Sequence, residues 1–317
     1  MDLPRNLLDS TMLKGLSRCP RHFYYRFERG WVSESERGAA AAFGIAWHAA
    51  MDVVWPVLCN RHQPLEAEPL MAAALSAFSA SFEAEGCVRK DGPDWTGETE
   101  ERQRFYHEGT AEAMLGSYIE TYAPILARWE LLGVETPFLI PLTESTDPDA
   151  PHYFGLIDKV VRTEIGEIVP VDHKTTSAFA SAGGFRFDWT DRWSPNGQLT
   201  GYGFSVMMQH GVTPPFCLVD AALVHKLHHD RFRQIPITVT PANTELWLEA
   251  VRSAFAARRR YQETGEWPAL GLLGDACWSP YSCAYKDLCN SAFNHLTAEP
   301  PLGYTTKPWK PLLEAKG

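Results

Sequence analysis

Gly155-Leu-Ile-Asp158, followed by Pro170-Val-Asp172-His-Lys174, is the stretch of sequence that decides the fold. Valines and isoleucines in and around both segments are typical of short strands, and a polar connection with Gly166 between them predicts a hairpin. Across such a hairpin, the carboxylates of Asp158 and Asp172 can approach each other. The sequence therefore predicts two acidic side chains in one place.

Two carboxylates that meet in this way repel each other unless a cation lies between them, and Mg²⁺ and Mn²⁺ prefer carboxylate and carbonyl oxygens. Lys174 follows Asp172 by two residues, so both side chains point to the same face of a strand. A divalent cation beside an ammonium group suits the hydrolysis of a phosphodiester. A solvated ion pair on an exposed edge strand would have the same sequence, so these residues alone leave both interpretations open.

The composition of the 317 residues is that of a globular protein, with 45% hydrophobic and 12% aromatic residues. The formal net charge of −10 means that any path for DNA must be a local basic groove in an acidic body. The first residues lack the pattern of a signal peptide, and no apolar run has the length of a membrane span. We therefore expect a cytoplasmic protein with no membrane partner, in which the seven cysteines do not form a disulfide framework.

The pattern of elements predicts an α/β fold. Hydrophobic periodicity predicts helices over 38–60, 66–86 and 98–128, strands over 134–142, 153–163 and 167–175, a helix over 195–210, strands over 216–226 and 232–240, and a helix over 241–264. A first helix would be capped by Ser10 or Thr11. We expect one domain over 1–317, with a helical N-terminal region (1–130), an α/β core (131–265) and a cysteine-bearing tail (266–317).

Further polar residues are candidates for the same site. His48 lies on an otherwise apolar helix, where a histidine is more often a hydrogen-bonded core residue than a ligand. If the fold places it beside Asp158, its imidazole becomes a third ligand and favours Mn²⁺ over Mg²⁺. Glu135 begins a predicted strand and either points into the site or lies in solvent. Gln198 and Tyr202 share a helix face, where they either orient Lys174 and contact a phosphate or belong to the core.

The cysteines divide into two sets. Cys277, Cys283 and Cys289 are spaced six apart among turn residues, which is typical of a soft metal centre in a reducing compartment. Both a zinc ion and a [4Fe–4S] cluster need a fourth ligand, for which Cys19 is the natural candidate. The remaining thiols lie in apolar patterns and are interpreted as buried core residues: Cys59, Cys87 and Cys217.

Together, these residues resemble the PD-(D/E)XK nuclease superfamily, and within it the RecB-like branch with an iron–sulfur cluster. That branch includes AddB-type helicase-nucleases, CRISPR-adaptation exonucleases and phage exonucleases. The matching motifs, in the order of the branch, are Cys19-Pro20 in an aromatic-rich helix, Gly44 with His48, Gly155 with Asp158, Asp172-His-Lys174-Thr175, Gln198 with Tyr202, and the triple-cysteine cluster. The branch often has Cys-x-x-Cys in that cluster, whereas both gaps are wider here, so zinc stays an alternative to iron–sulfur.

The resemblance implies a restriction-endonuclease-like core, in which a central mixed sheet is flanked by helices. It implies that one or two Mg²⁺ or Mn²⁺ ions are held by His48, Asp158, Asp172 and the backbone carbonyl of His173. It further implies that Lys174 serves the attacking water, that Gln198 and Tyr202 brace the site, and that a [4Fe–4S] cluster joins the N-terminal helix to the tail through four cysteines: Cys19, Cys277, Cys283 and Cys289. Aromatic residues near the path of the DNA either stack on bases or belong to the core: Phe185, Phe187, Trp189 and Trp193.

The function implied by the resemblance is a metal-dependent DNA exonuclease of recombination, repair or phage DNA processing. Its substrate would be single-stranded DNA or duplex ends, and a helicase or recombination protein could be a partner because the chain has no P-loop. The alternative is a non-catalytic module that binds DNA ends on the same fold.

Overall fold

The structure is a computed structural model that describes residues 6–33, 38–59, 64–90, 92–144, 149–180, 184–278, 282–291 and 299–309. Its strands are β1 (Leu7–Leu8), β2 (Trp31–Ser33), β3 (Glu130–Pro141), β4 (His152–Arg162), β5 (Ile168–Thr176), β6 (Cys217–Leu223), β7 (Phe232–Ile237) and β8 (Tyr304–Thr306). Its helices are α1 (Ser10–Arg18), α2 (Pro20–Phe23), α3 (Ala39–Leu58), α4 (Ala67–Ala84), α5 (Gly97–Gln103), α6 (Glu108–Leu126), α7 (Phe187–Asp191), α8 (Gly197–His210), α9 (Pro241–Thr264) and α10 (Lys286–Asn290). Parts of the predicted tail lie outside the described residues: 279–281, 292–298 and 310–317.

The chain forms two compact units. Unit 1 contains residues 1–35, 137–156 and 244–317, and unit 2 contains residues 36–136 and 157–243. The predicted single nuclease domain, with internal boundaries near residues 130 and 265, stays a prediction.

The main sheet is mixed, as predicted. Its order is β1-β4-β5-β6-β7, and β3 also pairs with β4. β4 and β5 are antiparallel, β5 and β6 are parallel, and β6 and β7 are antiparallel. In unit 1, β1 pairs in parallel with the first residues of β4, and β2 and β8 form a separate antiparallel pair.

Helices cover both faces of the sheet in unit 2. α3 and α8 both pack on β5. A Cβ atom at Gly44 of α3 would lie 3.1 Å from Thr175 Oγ1, so this glycine lets the helix approach the strand closely. On α8, Gln198 reaches Asp172. Because Asp172 and Thr175 differ by an odd number of positions along β5, their side chains point to opposite faces, and the two helices therefore lie on opposite sides of the sheet.

The core of unit 2 is made by apolar side chains of α3, α4, α6 and the inner strands, including Trp47, Trp55 and Phe78. Cys59, Cys87 and Cys217 are buried, as the sequence predicts. By length and composition, α3 is the one helix of the described chain that could cross a membrane, and half of that stretch is buried inside the protein. Because core helices of globular proteins pass the same test, this is weak evidence for a span. The cytoplasmic location stays a prediction.

Two local predictions were wrong. The cap of α1 is Asp9, whose side chain accepts a hydrogen bond of 2.7 Å from the backbone N–H of Met12, so neither Ser10 nor Thr11 has this role. The predicted helix over 98–128 is interrupted at Arg104, which has a φ of +53° and separates α5 from α6. Helical periodicity continues through this point because residues on either side of the break still pack against the same core.

Candidate active site

The β4–β5 hairpin places the two predicted aspartates opposite each other. Gly166 in the turn has a φ of +87°, which glycine adopts at low cost. The antiparallel register pairs Lys159 with Val171, so one position further along Asp158 faces Asp172. The backbone N–H of His173 donates a hydrogen bond of 2.7 Å to Asp158 Oδ2.

Both aspartates are buried, which excludes the interpretation as a solvated ion pair on an edge strand. Asp172 is 1% exposed and Asp158 is 7% exposed. Lys174 Nζ lies 2.7 Å from the Asp172 carboxylate, as expected for two side chains on the same strand face. Gln198 donates to Asp172 Oδ1 at 3.3 Å and to Tyr202 Oη at 2.9 Å. The structure thus brings together five of the predicted site residues.

The charges in this cluster are strongly coupled. Burial raises the pKa of Asp172, the Asp158 carboxylate raises it further, and Lys174 opposes the rise. Burial also raises the pKa of Asp158, but the electrostatic interactions with His48 and Lys174 outweigh this effect, and its pKa is lowered overall. For Lys174, burial lowers the pKa and the two aspartates overcome that effect, so its pKa is raised. At neutral pH the site therefore contains an ammonium group and at least one carboxylate.

His48 and Glu135 lie beside Asp158 and are two further candidate metal ligands. His48 Nδ1 lies 3.3 Å from Asp158 Oδ2. His48 was predicted to be a metal ligand if the fold placed it beside Asp158, and the structure places it there. Burial lowers the pKa of His48, which favours the neutral imidazole that can act as a ligand. Glu135 has a φ of +44°, in the left-handed region that a non-glycine residue rarely adopts. Burial and the neighbouring carboxylates of Asp158 and Asp52 raise the pKa of Glu135 to about 7.

These residues fit a hard divalent cation. In the described part of the chain, the group whose ligand atoms all lie within 4.8 Å of one another consists of His48, Glu135 and Asp158. Ligands of an octahedral ion with bonds of 2.0–2.1 Å are about 3 Å apart when adjacent and about 4 Å apart when opposite, so the observed spacing has the right scale. Asp172 is outside this group, and its role as a metal ligand stays a prediction, as does that of the His173 carbonyl.

A buried hydrogen-bond network fixes the other face of β5. Tyr118 donates to Asp220 Oδ2 at 2.7 Å, and Trp55 Nε1 donates to Tyr118 Oη at 3.0 Å. The same Asp220 oxygen lies 2.9 Å from His173 Nδ1. This network was not predicted from the sequence. An acidic residue inside the fully buried strand β6 was the signal that could have found it, because an aspartate is buried only with partners.

Packing within unit 1 explains why residue 155 is a glycine. A Cβ atom there would lie 2.6 Å from Phe138 Cζ, so a larger residue would displace the ring. The small side chain keeps β4 close to β3 three residues before Asp158. Of the aromatic residues that were candidates for base stacking, Trp189 and Trp193 are buried like core residues, whereas Phe187 is 80% exposed.

The structure brings the four predicted cysteines into one neighbourhood of unit 1. Burial raises the pKa of Cys289, and the thiols of Cys19, Cys283 and Cys277 raise it further, against the effect of Arg21. The backbone N–H of Cys283 donates to Cys277 O at 2.9 Å, and a Cβ atom at Gly271 would lie 3.5 Å from Cys19 Sγ. Residues far apart in the sequence are therefore close enough for their charges to interact.

Comparison with known proteins identifies the family of this chain. The family model of the PD-(D/E)XK nuclease superfamily matches residues 10–290. Among solved structures, the chain is similar to SSO0001, with 11% identity, coverage of 81% of this chain and 79% of that one, and a TM-score of 0.34. It is also similar to a candidate exonuclease from Eubacterium rectale, with 13% identity, coverage of 86% and 87%, and a TM-score of 0.48. A comparison with curated proteins finds no match. The match to the family model covers most of the chain and includes every residue of the site, and the chain belongs to the PD-(D/E)XK nuclease superfamily.

Proposed function

We propose that the protein is a metal-dependent DNA exonuclease. The observation that carries the proposal is the partly buried cluster in unit 2, in which three ligand atoms lie within 4.8 Å of one another and an ammonium group lies on the adjacent strand. A structural ion pair would need only one acid for one base. This site has more carboxylates than cations, which leaves room for the charge of a divalent ion.

His48, Glu135 and Asp158 would hold the metal, and Asp172 and the His173 carbonyl are further predicted ligands. When bound, Mg²⁺ or Mn²⁺ would lower the pKa of a water molecule and polarise the phosphate. The neutral imidazole of His48 favours Mn²⁺ within this pair.

Of the remaining side chains, Lys174 would act on the substrate, and Gln198 and Tyr202 would support the site. The Lys174 ammonium lies where it can offset the charge that develops on the phosphate in the transition state. Its position is fixed by the 2.7 Å contact with Asp172 and by packing near Trp193, whose ring centroid is 5.9 Å from Nζ. Gln198 and Tyr202 hold Asp172 in place, so that the lysine keeps one geometry.

We further propose that Cys19, Cys277, Cys283 and Cys289 bind a [4Fe–4S] cluster, as in the RecB-like branch. A tetrahedral zinc site with Zn–S bonds of about 2.3 Å would hold its sulfurs about 3.8 Å apart. The four thiols lie close enough for their charges to interact, which a zinc ion and an iron–sulfur cluster both require. The resemblance to the RecB-like branch favours the cluster.

The cluster has a spectroscopic test. Protein purified without oxygen should absorb near 400 nm, and Cys289→Ser should remove the band, because [4Fe–4S] clusters need their thiolate ligands. Cys217→Ser, which changes a buried thiol of unit 2, is the control and should keep the band. A colourless protein with stoichiometric zinc would reject the iron–sulfur assignment.

The nuclease proposal is tested with end-labelled single-stranded and duplex DNA. We expect stepwise shortening from an end in Mn²⁺ or Mg²⁺ and none in EDTA. Labels at the 5′ or 3′ end give the polarity, and a circular substrate distinguishes exonuclease from endonuclease activity. DNA binding in EDTA without cleavage in any metal would favour the alternative, a non-catalytic module that binds DNA ends.

A further inference from the structure

A cavity in unit 2, which we call the His225 pocket, lies beyond the end of β5, the strand that carries Asp172 and Lys174. β5 and β6 are parallel, and just beyond them the backbone N–H of Val224 donates to Thr176 O at 2.7 Å. Phe179 and His225 follow these strand ends and line a cavity of about 940 Å³. That volume is at the upper end of the range of ligand sites.

The His225 pocket is locally basic in a chain of net charge −10. Its cationic side chains are Lys90, Arg104 and Lys226, against the carboxylates of Glu100 and Glu101. The lining residues therefore carry a small excess of positive charge within an acidic protein, which favours an anionic ligand.

Aromatic rings lie beside these cations. Phe179 is 46% exposed and lines the same cavity as Lys90 and Lys226, so its ring is open to a ligand there. Its ring makes a T-shaped contact with His225 at 4.6 Å, and His225 stacks on His228 at 4.9 Å. The rings form a platform on which an unpaired base can stack.

Hydrogen-bond donors at the His225 pocket are available to a ligand. His225 Nδ1 accepts the backbone N–H groups of Leu227 and His228 at 3.1 and 3.2 Å, so the neutral ring carries its proton on Nε2. Nε2 of His229 is buried and has no hydrogen-bond partner among the described residues. Buried polar nitrogens normally have a partner, and this one lacks it within the described part of the chain.

The backbone at Arg104 adds a further sign of function. Its φ of +53° and ψ of −111° lie outside the regions that an arginine ordinarily adopts. Strained conformations of this kind cluster at ligand sites, where the surrounding structure holds them. Here the strain places the break between α5 and α6 at the wall of the pocket.

We infer that the His225 pocket binds single-stranded DNA close to the scissile phosphate, an inference that rests on the proposed nuclease function. Phe179 follows Lys174 by five residues, so an extended chain separates them by about 17 Å at most. At a spacing of about 3.4 Å per nucleotide, that length corresponds to about five nucleotides or fewer. The stacking proposed here needs unpaired bases, which the interior of a duplex does not offer.

Binding is measured by fluorescence anisotropy with a labelled oligothymidylate of about 20 nucleotides in EDTA, which makes the result independent of cleavage. Phe179→Ala should weaken binding about tenfold through the loss of one stacked base. Lys226→Gln should lower the slope of log K against log salt by about 0.7, the value for one phosphate contact on a single strand. Arg252→Gln, the same change at an exposed arginine of α9, is the control and should alter neither quantity.

Cleavage provides the second measurement. Phe179→Ala should raise KM about tenfold for the long substrate and leave kcat unchanged, while a dinucleotide, the substrate least able to reach the pocket, should be cleaved as by the wild type. Wild-type DNA affinity in both variants would overturn the inference, as would competition by free dTMP as strong as that by the oligonucleotide. If the protein cleaves no DNA but the binding effects are found, the inference holds and the nuclease proposal fails.

Discussion

Lys174→Met should lower kcat by about a hundred- to a thousandfold and leave metal binding intact. The magnitude is that of removing one group that stabilises charge in the transition state. The ammonium lies 2.7 Å from Asp172 and does not belong to the group of close ligand atoms around His48, Glu135 and Asp158. Methionine keeps the length of the buried stem without the charge, so the side chain still packs against α8.

The measurement combines single-turnover cleavage with a metal titration followed by thermal unfolding. Removing the positive charge leaves Asp158 and Asp172 less compensated, so affinity for Mn²⁺ should stay equal or increase. Arg162→Met is the control on β4, where a half-exposed pair with Glu130 is lost, and it should keep the wild-type kcat. If Lys174→Met cleaves DNA at the wild-type rate, the proposed role of the lysine is wrong.

The centre of this site could be predicted because its geometry is local. Asp158 and Asp172 lie on one hairpin, and strand alternation alone places Lys174 beside Asp172. The four-residue spacing of Gln198 and Tyr202 likewise determined a shared helix face. Cys19 could be named as a fourth ligand because three thiols need one, whereas only the resemblance connected His48 to its partners, because sequence patterns do not report which helix packs on which strand.

Glu135 shows the limit of such reasoning. From the sequence, Glu135 was a candidate with two open interpretations and was not among the predicted site residues. Strand alternation does not predict the direction of a side chain at a residue with a positive φ. Asp220 escaped for a different reason. Its two partners come from β5 and α6, and Trp55 of α3 joins the network through Tyr118. A buried acid in an apolar strand does not indicate which residues will satisfy it.

Glu135→Gln should lower the affinity for Mn²⁺ about ten- to a hundredfold and remove most of its dependence on pH between 6 and 8. A carboxylate must lose its proton to bind a metal. Because the pKa of Glu135 is raised to about 7, the ionised fraction rises about tenfold from pH 6 to pH 8. Burial lowers the pKa of His48, so its imidazole contributes less to this dependence than a histidine with an ordinary pKa would.

Thermal unfolding with and without Mn²⁺ measures the effect, since a ligand that binds only the folded state raises Tm. In the wild type, the shift caused by Mn²⁺ should be larger at pH 8 than at pH 6. The metal-free protein should change in the opposite sense, because a carboxyl with a raised pKa in the folded state loses its stabilising contribution as the pH rises toward 7. Glu130→Gln, the same change on the same strand at a half-exposed position, should behave like the wild type. Equal pH dependence in Glu135→Gln and in the wild type would show that Glu135 is not a ligand. The metal would then be held by His48, Asp158, Asp172 and the backbone carbonyl of His173, as the resemblance implies.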